Sequence, residues 1–94
     1  MGAKMAFTDV ETAQAHDVVN TDPTGEDLCK LGLLYSTGQG GTVDYVEAHK
    51  WFNLATLLGC DAAKYYRQEI SDEMDMMQIS AAQRAAREWL STRH

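Results

Sequence analysis

The sequence predicts an all-α fold built from short antiparallel helical hairpins. Three observations carry this. The chain has one proline and seven glycines in 94 residues and is rich in Ala, Leu, Glu, Gln and Met, which favour helix. Leu31 to Gly38 and Asp44 to Ala55 read as two helices folded back through a glycine-rich turn. Ala48, Phe52 and Ala55 form one stripe, because positions i, i+4 and i+7 share a helix face. Small residues there let backbones approach, and aromatics fill the space beside them.

Taken in chain order, Met1 to Phe7 read as a loose terminus, and Thr8 with Glu11 fits a capping box that opens a helix over 9–19. Asn20 to Pro23 is a break, with Asp22 as cap and Pro23 at the first helical position, where no N–H is needed. The next helix runs from Thr24 to about Ser36, with Leu28, Leu31, Gly32 and Tyr35 on one side. Gly32 costs that helix about 1 kcal/mol relative to alanine. Close contact with the Ala48–Ala55 face is the expected compensation. Glycines from Gly38 onward end the helix, since glycine takes the left-handed conformation easily. They are no phosphate loop: the G-x-x-x-x-G-K-[ST] pattern is missing, and no strand precedes them.

Asp44 with Glu47 forms a second cap for a helix from Tyr45 to about Leu58, stopped by Gly59. Asp61 is the expected cap of a third helix, Ala62 to about Asp72, with Ala63, Tyr66 and Ile70 inward. Of the adjacent pair Tyr65 and Tyr66, one should be exposed, because neighbours on a helix point about 100° apart. Asp75 and Gln78 cap a fourth helix, Met76 to about Ser91, with Ile79, Ala82, Ala86, Trp89 and Leu90 as its apolar stripe.

Leu31-Gly32, Tyr35, Gly38, Gly40, Asp44, Tyr45, Ala48, Trp51, Phe52, Ala55, Gly59 and Ala63 together resemble the Sel-one-like repeat, a relative of the tetratricopeptide repeat. The resemblance implies a right-handed α-hairpin solenoid fragment of four to five helices, an adaptor role and no catalytic residues. It divides the chain into a tail at 1–22 that can carry a helix, one repeat at 23–59, and a degenerate second repeat or cap at 60–94. Gln68 stands where the second repeat would need its close-packing glycine, so the second hairpin should cross differently. Two repeats are few, since about three are normally needed to bury their faces. The N-terminal helix, self-association, or a final helix carrying Met74, Met76, Met77 and Trp89 are the ways to close the stack. In this repeat class the first helix of each pair lines the partner-facing side. Carried over from the Leu31-Gly32 anchor, the partner-binding positions are Glu26, Cys29, Leu33 and Ser36. Leu33 either meets a peptide or packs under the N-terminal helix.

Composition narrows the chemistry. The formal charge of -6 argues against a phosphate backbone and, more weakly, against anionic membranes. No apolar run reaches the length of a membrane span, and no signal segment opens the sequence, which points to the cytoplasm. Cys29 and Cys60 carry no metal-site spacing and read as two small buried or half-buried thiols, with a disulfide as the lesser alternative. His16, His49 and His94 are scattered and read as surface residues. Glu69, Asp72, Glu73 and Asp75 read as a solvated turn. No catalytic motif, cofactor site or metal site emerges. The expectation is a non-catalytic protein–protein interaction or adaptor module that takes a protein or peptide partner. A small regulatory or ligand-binding subunit of an enzyme system is the alternative, and a small hydrolase is the weakest reading.

Overall fold

The computed structural model describes residues 22–39 and 41–92, and these form four helices with no strand among them. We number them α1 (Gly25–Thr37), α2 (Tyr45–Leu57), α3 (Asp61–Ser71) and α4 (Met76–Ser91). The expected helix over 9–19 lies outside the described residues, as do His16 and His94.

Local side-chain chemistry sets the helix starts. Asp22 was the expected first cap, but Thr24 takes that place. Its hydroxyl accepts from Asp27 N at 3.1 Å, and Thr24 N donates to Asp27 Oδ2 at 2.9 Å. Pro23 therefore lies outside the helix, and the reciprocal pair places the cap two residues beyond Asp22. Asp44 caps α2 by accepting from Glu47 N at 3.1 Å. Glu47 does not close a box in return. Its carboxylate accepts from Trp51 Nε1 at 3.1 Å and pairs with Lys50, whose ammonium lies 4.2 Å from the Trp51 ring centroid. Asp75 and Gln78 make the full box that opens α4. Asp61, the expected cap of α3, is instead its first helical residue. Cys60 holds the cap position without a side-chain hydrogen bond, and Asp61 sits where a carboxylate favours the helix N-terminus. Gly38, at φ 76°, ends α1 in the left-handed conformation.

Helix α2 is the centre of the molecule. It packs against α1, α3 and α4, whereas α1 only grazes α3, and α3 and α4 scarcely meet. Helices α1 and α2 approach tightly at Gly32, where an added Cβ would stand 2.5 Å from the Phe52 ring. Phe52 is fully buried, and its ring lies 5.5 Å, centroid to centroid, from that of Tyr66. Position 68 has no such approach: Gln68 is exposed, and the second hairpin is splayed. Helix α4 returns to α2 through an edge-on contact of Trp89 with Trp51, 5.9 Å between centroids.

The core matches the expected stripes at Leu28, Leu31, Ala48, Phe52, Ala55, Ala63, Ile70, Ala82 and Ala86. Leu34, Trp51 and Leu54 join it, so α1 and α2 are buried on more than one side. Leu90, expected inward, is exposed because it lies about 100° round the helix from Trp89. Met74 is buried, but Met76 and Met77 stand in solvent and do not close the stack. Tyr65 is exposed and Tyr66 half-buried, as the pair predicted.

His49 corrects the surface reading. It is 3% exposed, and its Nδ1 has no hydrogen-bond partner. Lying one turn before Asn53, it shares the face that α3 covers, and Arg67 of α3 donates to Asn53 Oδ1 at 2.7 Å. Burial, reinforced by the Arg67 charge, holds its pKa below the ordinary histidine value. A histidine on a helix packed on several sides has little chance of reaching water.

Candidate functional site

A groove of about 570 Å³ opens between the C-terminal half of α1 and the end of α3. Leu33, Ser36 and Thr37 form one bank, Tyr66 and Ile70 the other, and Tyr45 from the start of α2 joins them. The core packing places the second bank. Gly32 lets Phe52 sit against α1, and Tyr66 lies against Phe52. Ile70 follows one turn along α3 on the same face. The floor of the groove is therefore carbon-rich and is continuous with the core.

The rim has the opposite character. Glu69, Asp72 and Glu73 line it, all exposed, and no Lys, Arg or His does. The two hydroxyls do not offset this acceptor excess. Thr37 Oγ1 donates to Leu33 O at 2.7 Å, and Ser36 Oγ donates to the same carbonyl at 3.4 Å. Both hydrogens point back into α1, and Thr37 Oγ1 also accepts from Gln39 N at 3.4 Å. One Asp72 oxygen accepts from Gln68 Nε2 at 3.3 Å. The arrangement can seat an apolar side chain while drawing ammonium or guanidinium groups to its edge. It holds no nucleophile paired with a base, and no group of three His, Cys, Asp or Glu among the described residues could hold a metal.

The four sequence-derived positions fare differently. Leu33 and Ser36 are both half-buried and lie together on the groove. Leu33 packs partly against the core, so its exposure is smaller than expected. Glu26 is exposed but sits at the other end of α1, in a separate cleft with Cys60 and Asp61. Cys29, expected to face outward, is 7% exposed, because the α2–α3 turn covers that side of α1. The sequence reading missed Tyr45, Tyr66 and Ile70 as groove residues. The signal was available: an apolar i, i+4 pair runs straight into the acidic turn of Glu69, Asp72 and Glu73. The carboxylates are solvated as expected, but they border an apolar channel.

No family model matches the chain, and no curated protein or solved structure is found similar to it. Among the described residues, no helix is long and apolar enough to cross a membrane.

Proposed function

We propose that this chain is a non-catalytic protein-interaction module of the Sel-one-like repeat type, binding a partner segment along the α1–α3 groove. The observation that carries the reading is the pairing of an apolar floor (Leu33, Tyr66, Ile70) with a rim of three carboxylates and no cation. The occupant it suits is a short segment with one or two large apolar side chains flanked by Lys or Arg. The -6 formal charge of the whole chain favours encounter with such a partner. The contact of Gly32 with Phe52 supports the repeat assignment, since it gives a reason for the helix-interior glycine on which the resemblance rests. The groove is open, which suits an extended or helical segment better than a small molecule enclosed on all sides.

Selection from a random peptide library tests this. Wild-type protein should enrich apolar residues flanked by basic ones. Glu73→Lys, at an exposed site that leaves the fold intact, should lose that basic preference. Leu33→Asp should weaken binding of the selected peptides at least tenfold, with helicity checked by circular dichroism. Enrichment without basic flanks, or peptides indifferent to both substitutions in folded protein, would refute the proposed site.

A further inference from the structure

Away from the groove, the start of α1 lies against the turn between α2 and α3. A Cβ added at Gly25 would stand 3.0 Å from Cys60 N and 3.0 Å from Leu58 O. Cys29 follows Gly25 by one helical turn on the same face. This brings two thiols together from positions about 30 residues apart in sequence. Both are free. Cys29 is buried in the core, and Cys60 is half-buried at its edge. Cys60 also lines a cleft of about 430 Å³ shared with Thr24, Gly25, Glu26 and Asp61. No third metal-binding side chain is grouped with the pair among the described residues, so the two thiols suit each other better than a metal ion.

We infer that Cys29 and Cys60 form a reversible disulfide that fastens the start of α1 to the α2–α3 turn. The accessible thiol reacts first. Cys60 attacks a hydroperoxide oxygen as its thiolate. The O–O bond breaks, an S–O bond forms, and the departing oxygen leaves as water or alcohol, giving a sulfenic acid. Cys29 then attacks the Cys60 sulfur. The S–S bond forms, the S–O bond breaks, and the hydroxide leaves as water with the Cys29 proton. The two electrons lost by the thiols reduce the hydroperoxide. Burial, and then the contact with Cys60, push the Cys29 thiol up to about 12. Cys29 is thus kept protonated and sheltered until its neighbour is oxidised, which assigns it the resolving role.

Intact mass spectrometry of the full chain, reduced and then titrated with hydrogen peroxide, tests the pairing. The monomer should become lighter by two hydrogens, and dithiothreitol should restore it. Closing a loop of about 30 residues should raise the thermal midpoint by about 10 °C. Cys29→Ser should accumulate a dimedone-reactive sulfenic acid at Cys60 and show no two-hydrogen loss. Wild-type protein that instead gains oxygen at Cys60 without bridging, forms disulfide-linked dimers, or bridges with a lowered midpoint would overturn the proposal.

Discussion

Replacing Gly32 by alanine sets two effects of known sign against each other. Alanine favours the helix by about 1 kcal/mol over glycine. Against this, the new methyl would stand 2.5 Å from two Phe52 ring carbons, where even a tight contact needs 3.0–3.4 Å. The ring must therefore retreat by roughly half to one ångström. It has little room, being fully buried with Tyr66 5.5 Å away on another helix. Overpacking of this kind costs about 1–3 kcal/mol, so the propensity gain is outweighed and Gly32→Ala should destabilise by about 1 kcal/mol. Gly32→Leu should cost about 3 kcal/mol. Urea denaturation of wild type, Gly32→Ala, Phe52→Leu and the double variant forms a cycle. Phe52→Leu should be destabilising alone yet relieve the alanine variant, giving a favourable coupling of about 1 kcal/mol. If Gly32→Ala raises stability by the full helix-propensity gain, the ring has space and the close-packing argument fails.

Two further predictions concern corrected residues. Thr24→Ala should lower stability by about 1 kcal/mol through loss of the α1 cap, whereas Asp22→Ala should change it by less than about 0.5 kcal/mol; equal effects would return the cap to Asp22. Burial, and then the Arg67 charge, hold the His49 pKa below 6.5, so the unfolded chain binds the proton more readily. The stability linked to this residue is complete above pH 6.5 and is lost as pH falls from 6.5 toward its folded pKa, at up to about 1.4 kcal/mol per pH unit. Unfolding free energies of wild type and His49→Gln should therefore converge or cross between pH 7 and pH 5, and parallel profiles would show that His49 is not the titrating group.

What could be read from the sequence divides by range. The extents of the four described helices came within about one residue because capping pairs and apolar periodicity act over three or four positions. The two misassigned caps are local competitions in which Thr24 with Asp27, and the backbone at Cys60, displaced an equally plausible aspartate. His49, and Cys29 as a partner-facing position, were misplaced for a different reason, while the reading of Cys29 as a buried thiol holds. A polar or weakly polar residue reads as exposed unless one knows how many sides of its helix are covered. The number of neighbours around α2 is a property of the assembled fold. The Cys29–Cys60 neighbourhood was hidden in the same way, since nothing local links two residues about 30 positions apart.

The groove lies between these cases. Its chemistry was visible in pieces: Leu33 off the core face of α1, Tyr66 and Ile70 on α3, and an acidic turn beyond them. Their meeting depends on the crossing of α1 and α2. That crossing depends on Gly32, the residue whose cost to its own helix first demanded an explanation. Moving the Phe52 ring would press on Tyr66, which lines the groove. Core and groove therefore share a single line of contact, Gly32 to Phe52 to Tyr66, and a substitution at its buried end should be felt at its exposed one.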